Sequence, residues 1–188
     1  MSKIILDIDG VVRDIHTPIC KIYQREYNNN SNIKLSDIKQ YDLQPTFPLI
    51  TNKEEFFRVH AEEIFYQSKP YNKYDVVSIM RLMNNNTVHF VSSQLNGVEY
   101  LTENWLKLNG FPYDSLTFSS DKAIIGGNIC LDDCIDNLIK VQNKGIYPVC
   151  FSRPWNNNWY GSKIKDFKEF IDFVNLYNKN ESRHKKEY

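Results

Sequence analysis

A chain of 188 residues suits one domain of ordinary size, with room for a small insertion and a substantial core. Lys plus Arg and Asp plus Glu balance at 23 each, which argues against an electrostatic nucleic-acid binder, so no stable nucleic-acid binding is expected. No apolar run approaches the roughly 20 residues needed to span a bilayer, and the start at Met1 to Lys3 shows no signal-peptide h-region. The expected setting is therefore cytoplasmic, with no membrane partner.

The first element lies in "KIILDIDGVVRD", where the apolar run 3–8 reads as a buried strand that ends among the acids Asp7, Asp9 and Asp14. About 55 residues (15–69) then intervene, where a plain crossover between parallel strands needs only about a dozen. This stretch leans helical at 52–67 ("NKEEFFRVHAEEIFYQ") and is rich in aromatics: Phe47, Phe56, Phe57, Phe65 and Tyr66. It reads as an inserted cap over one edge of a sheet. Beyond it, helices are expected over 72–84, 97–109, 134–144 and 163–178, and strands over 87–93, 115–120, 128–133 and 147–152. In the second of those helices Val98, Leu101, Trp105 and Leu108 share a face, and Gly110 follows as a C-cap. Strands alternating with helices imply an α/β fold with a parallel sheet flanked by helices. The expected organisation is a discontinuous core (1–14 and 70–180), a small helical cap (15–69) inserted after the first strand, and a charged tail (181–188). Cys20, Cys130, Cys134 and Cys150 are scattered and no paired Cys or His set stands at zinc-ligand spacing, so reduced thiols are expected.

The acids carry the chemistry. Asp7 ends the first strand, while Asp132 and Asp133 end the fourth, "NICLDD". Parallel strands present their carboxyl ends on one edge, so neighbouring strands would crowd these acids together. Crowded carboxylates raise one another's pKa unless a cation sits among them. Magnesium, a hard ion that takes carboxylate oxygens, is the expected occupant. A calcium-binding EF-hand loop fits poorly, because Gly10 follows only the second Asp and a strand precedes it. A lone strand-end Asp is usually a cap or turn former; two separated acidic strand ends are much harder to explain that way. Ser92 and Ser93 close the second strand with hydroxyls suited to phosphate oxygens, and Lys122 in "SSDKAIIGG" offers an ammonium for the same charge. Gly10 permits a tight turn beneath a phosphate.

In their order along the chain, "DIDGVV", the Ser92 strand end, Lys122 and "LDD" resemble the four motifs of the haloacid dehalogenase (HAD) superfamily of phosphohydrolases. More closely, "DIDGVVRD", "FVSS", "FYQSKPYNKYDVV" and "DKAIIGGNICLDD" resemble its 5′(3′)-deoxyribonucleotidase branch, including bacterial and phage-type members. The resemblance implies a Rossmann-like core and a bacterial protein, or a phage protein acting in its host's cytoplasm. It implies Asp7 as a nucleophile that forms an aspartyl-phosphate and Asp9 as general acid and base. Magnesium would be held by Asp7, the Asp9 carbonyl and Asp132, with Asp133 as a supporting ligand or just behind them. Ser92, Lys122, Ser93 and amides near Gly10 would meet the phosphate. Phe65 stands where the family has a substrate-side aromatic, whereas Ile15 stands where it has another. "RPWNNNW" (153–159), with Arg153 and Trp155, also resembles bacterial members, but no chemical role follows from it.

The implied substrate is a nucleoside monophosphate. The alternatives are another small phosphoester, such as a sugar phosphate, and a HAD-like module that holds a nucleotide without turnover. Asp9 favours phosphate over halide, since dehalogenating relatives lack a second Asp there. A homodimer is left open.

Overall fold

The computed structural model describes residues 1–27 and 32–184. Its centre is β1 (Lys3–Leu6), in which Ile4, Ile5 and Leu6 are fully buried, as a parallel strand covered on both faces requires. Around it lie β4 (Thr87–Ser92), β5 (Ser115–Phe118), β6 (Ile129–Asp132), β7 (Tyr147–Phe151) and β8 (Lys163–Ile164), in the order β5-β4-β1-β6-β7-β8 and all parallel. Leu6 is level with both Phe90 and Leu131. The chain thus builds outward from β1 through β4 to β5, then returns to lay β6 on the opposite flank. That reversal makes the carboxyl ends of β1 and β6 a switch point, where sheets of this kind open a crevice.

Helices α3 (Asp75–Met83), α4 (Glu99–Leu108), α5 (Ile135–Asn143) and α6 (Phe167–His184) flank the sheet. Ile4, Leu6, Phe90, Trp105, Leu131, Phe167, Phe170 and Val174 belong to the main core, while Ile5, Val91, Cys130 and Val141 form a smaller one. All four cysteines are free and buried. Among the described residues no helix is long and apolar enough to cross a membrane.

Two elements differ from the sequence expectation at the C-terminal end. The helix expected from residue 163 begins at Phe167, because Lys163–Ile164 instead add an edge strand beside Cys150–Phe151. Asp166 then accepts the Glu169 amide at 2.9 Å and starts the helix. Residues 181–184 continue α6, so they are helical where a tail was expected; residues 185–188 lie outside the described residues, as do 28–31 within the expected cap.

The long first crossover holds α1 (His16–Glu26) and α2 (Lys53–Gln67). Helix α1 was not anticipated, since Pro18 disguises it. Proline is tolerated in a first turn, and Ile19, Ile22 and Tyr23 form its buried face. A two-stranded antiparallel ribbon of β2 (Arg13–Asp14) and β3 (Lys69–Pro70) joins the points where the chain departs and returns. Ile19, Tyr23, Phe47, Phe56 and Ile64 pack in a second cluster, where Tyr23 and Phe47 meet edge to face at 5.1 Å.

Phe47 is fully buried in that second cluster. Phe47→Ala should therefore destabilise the excursion by about 3–5 kcal/mol while sparing the sheet. Hydrogen exchange would show amides of α1 and α2 losing protection while those of β1 and β4 keep theirs. Equal losses in both regions would mean that the two clusters open as one.

Candidate active site

The carboxyl edge of the sheet brings the expected residues together. Asp7, directly after β1, is pinned beside β6 by its amide, which donates to the Leu131 carbonyl at 2.9 Å. Asp7, Asp132 and Asp133 are buried and offer carboxylate oxygens within 4.8 Å of one another. Lys122, in the loop between β5 and β6, is 4% exposed. Its Nζ donates to Asp7 Oδ1 at 2.5 Å and to the Val91 carbonyl at 2.6 Å, and lies 4.0 Å from Asp132 Oδ2. Asp132 is further held by the Cys134 amide (2.8 Å) and the Asn137 side chain (3.1 Å).

Such crowding shows in the proton affinities. Burial, with Asp132 and Asp9 adding to it against Lys122, lifts the Asp7 carboxyl to about 7. Burial likewise raises Asp132, and raises Asp133 well above the carboxylate range with help from the charges of Asp132 and Asp7. Burial alone would lower the Lys122 ammonium, but Asp7 and Asp132 together carry it above its ordinary value. Asp133 Oδ1 is buried and has no hydrogen-bond partner among the described residues. Three dry carboxylates, one of them with an unsatisfied oxygen, make a donor set that fits a hard divalent cation.

Gly10 is required here for a reason beyond a tight turn. Its φ is +84°, and a Cβ on it would lie 1.9 Å from Asp133 Oδ2. The absent side chain makes the space that the carboxylate fills.

Asp9 does not join the carboxylate cluster. It is clamped by Arg13, whose Nε and Nη2 donate to its two oxygens at 2.6 and 2.9 Å. Burial would raise Asp9, but the Arg13 charge and hydrogen bonds, with one from Gln94, hold it below its ordinary value. Arg13 is itself fully buried, bonded to Thr102 Oγ1 (3.1 Å) and lying 4.1 Å over the Phe65 ring. Gln94 Nε2 bridges Asp9 Oδ2 (2.9 Å) and Ser92 Oγ (3.0 Å). Neither Arg13 nor Gln94 was singled out from sequence. The i,i+4 spacing of Asp9 and Arg13 was the available signal for the first, and the place of Gln94 next to the serine pair was the signal for the second. Asp14, the third acid of the opening stretch, instead accepts the His16 and Thr17 amides at 3.1 and 3.0 Å at the start of α1.

Beside Asp9 opens a cavity of 260 Å³, lined among others by Ile15, Tyr41, Phe57, Phe65 and Ser93. Ser92 is buried, bonded to the Gln94 side chain that lines the cavity, and Ser93 is exposed. Of the aromatics noted in the sequence, Phe47 and Phe56 pack inside the excursion, Phe57 and Phe65 reach the cavity, and Tyr66 is 78% exposed in a separate groove between α2 and α4. Tyr41 was missed. It comes from the irregular segment before α2 and lines the cavity while remaining 54% exposed.

The model of the family described as 5' nucleotidase, deoxy (pyrimidine), cytosolic type C protein matches residues 1–180. A Chlorobaculum tepidum protein named provisionally as a 5'(3')-deoxyribonucleotidase is 25% identical over 76 residues; the match spans 40% of this chain and only 38% of that protein. Among solved structures, a haloacid dehalogenase-like hydrolase from Streptococcus pneumoniae superposes with a TM-score of 0.69 at 13% identity, covering 93% of this chain and 98% of its own. An L-2-haloacid dehalogenase gives 0.57 at 11% identity, covering 93% and 99%. The fold is therefore HAD-like, and it is shared by proteins named for different reactions.

An acid that binds its proton more tightly folded than unfolded stabilises the fold at low pH and loses that contribution as pH rises. For Asp7 the window runs from the unperturbed 3.8 to about 7, and Asp132 and Asp133 act in the same direction. Asp9, shifted the other way, changes only below this window, whereas His16, lowered to about 4 by burial, opposes the acids up to its ordinary 6.5. In chelator, the melting temperature should thus fall between about pH 6.5 and pH 8, above the range of His16, and an added divalent cation should restore it most at the alkaline end. A flat profile in chelator would mean that Lys122 alone balances the cluster.

Proposed function

Since the chain belongs to the 5' nucleotidase, deoxy (pyrimidine), cytosolic type C family, we propose that it hydrolyses nucleoside monophosphates to nucleoside and phosphate through an aspartyl-phosphate on Asp7. The observation that carries this reading is the pairing of two acids, two residues apart, with opposite surroundings: Asp7 bonded to Lys122 and Asp9 clamped by Arg13. A module that only bound nucleotide would need neither a buried nucleophile nor a separate proton carrier.

In the first step a carboxylate oxygen of Asp7 bonds to phosphorus, the ester P–O bond breaks, and Asp9 gives its proton to the departing alkoxide. In the second, water attacks the same phosphorus while Asp9 takes a proton from it, releasing phosphate and restoring Asp7. The clamped Asp9 is in its proton-accepting form, which suits the second step; the first needs Arg13 to surrender one of its two bonds. Lys122, Ser92 and the backbone around Gly10 offset negative charge on the transferring group, the main electrostatic demand that such a reaction places on a protein. Magnesium held by Asp7, Asp132, Asp133 and the Asp9 carbonyl would supply further charge neutralisation and favour the ionised nucleophile.

Recognition of the nucleoside is assigned to the cavity beside Asp9. With Ile15 in place of an aromatic, the stacking surfaces that line it are Phe57, Phe65 and Tyr41. A small sugar phosphate would leave these rings unused.

Two measurements test the proposal. Asp7→Asn should abolish single-turnover hydrolysis with an unaltered circular dichroism spectrum, because the amide preserves size but neither attacks phosphorus nor binds a cation as an anion does. A folded variant working at the wild-type rate would remove Asp7 from the mechanism.

Phe65→Ala should lower kcat/KM for a deoxynucleotide by about 1–3 kcal/mol, the usual loss of a base-stacking ring, and barely affect para-nitrophenyl phosphate. Equal losses on both substrates would assign Phe65 to supporting Arg13 and Asp9, and would bring the sugar-phosphate reading level.

A further inference from the structure

The segment after β7, "RPWN", lies outside all four motifs, yet its side chains converge on the strand ends. Arg153 Nε donates to the Gly10 carbonyl at 2.6 Å and Nη2 to that of Val11 at 3.3 Å. Its guanidinium lies 3.6 Å from the Tyr71 ring centre and 4.4 Å from that of Phe151. Trp155 Nε1 donates to Asp133 Oδ2 at 2.9 Å. Asn156 Nδ2 donates to the Asp133 carbonyl at 2.9 Å and the Phe151 carbonyl at 2.8 Å. Trp155 and Asn156 are 6% and 1% exposed. A turn from Pro154 to Asn156 is closed on itself by the Arg153 amide donating to Asn156 Oδ1 at 2.9 Å, and tied to β8 by Lys163 Nζ on the Asn156 carbonyl at 2.8 Å.

We infer that residues 153–156 form a strap that positions Asp133 for a divalent cation, with Trp155 as the positioning residue. This rests on the cation reading of the carboxylate cluster. Trp155 occupies Oδ2 and leaves Oδ1 without a protein partner among the described residues, in a carboxylate that stands with Asp7 and Asp132. Asn156 holds the backbone of the same residue, and Arg153 holds the Gly10 turn against which Asp133 packs. An indole suits the task because it has one donor and no acceptor, so it cannot compete for the cation. Groups that orient metal ligands in this way commonly change metal affinity by about 10–100-fold when removed.

The test is Trp155→Phe, which keeps an aromatic ring facing His16, 4.4 Å away between ring centres in the wild type, and deletes the donor with the smaller ring of the indole. Manganese binding to the full chain, followed by electron paramagnetic resonance, should weaken about 10–100-fold, while the metal-free variant keeps the wild-type circular dichroism spectrum. Wild-type affinity in a folded variant would overturn the strap. If the variant does not fold, the wild-type protein decides. The indole N–H resonance of Trp155, identified through its contact with His16, should shift as magnesium is added. Those of Trp105 and Trp159, bonded to the carbonyls of Ser68 and Ser162, should stay in place. An unmoved Trp155 resonance at magnesium saturation would also overturn the inference. Wild-type protein that binds no divalent cation would sink the cation reading, and the strap's purpose with it; wild-type binding with an indifferent variant sinks the strap alone.

Discussion

The contact on which the rest of the site depends is the buried ion pair of Lys122 and Asp7, with Asp132 and Asp133 crowded beside it. One ammonium cannot neutralise three dry carboxylates, and removing such charges from water costs several kcal/mol each unless partners are found. Much of the surrounding architecture reads as a response to that imbalance. The Cys134 amide and Asn137 serve Asp132, the Leu131 carbonyl fixes the Asp7 backbone, and Gly10 withdraws its side chain to admit Asp133. A sheet reversal at β1 and β6 is the topology that makes the crowding unavoidable.

Two carboxylates two residues apart are given different characters by their neighbours alone. Asp7 shares its ammonium with other acids and holds its proton up to about 7, whereas Asp9 has a guanidinium to itself and is held in the ionised form. Separation of this kind lets similar groups play nucleophile and proton carrier. Arg13 also touches Phe65 of α2 and Thr102 of α4, so the character of Asp9 depends on how the excursion sits against the core.

What could be read from the sequence was what local pattern encodes. Buried parallel strands are continuous apolar runs, so β1, β4, β6 and β7 were legible within a residue or two, and so were the acids at their ends. Asp7, Lys122, Asp132 and Ser92 do converge on one edge. The omissions share a cause: Arg13, Gln94 and Tyr41 act through partners distant in sequence or lie in irregular backbone, where no periodicity marks them. Helix α1 was hidden by Pro18, and β8 exists only because an edge of β7 was free to pair. Arg153 and Trp155 were visible as unusual residues, but their targets, Gly10 and Asp133, are more than a hundred and some twenty positions away.

The ribbon of β2 and β3 has a consequence for how such a chain can diversify. Asp14 and Lys69 are paired neighbours, so the long excursion leaves the core and re-enters it through a single doorway. The entropy of closing a loop grows only slowly with its length once its ends are held together. Helices could be lengthened, shortened or exchanged beyond that doorway while the strand ends that carry the acids kept their register. A lineage could thus try new specificities by swapping one continuous stretch of gene and leave the chemistry where it was.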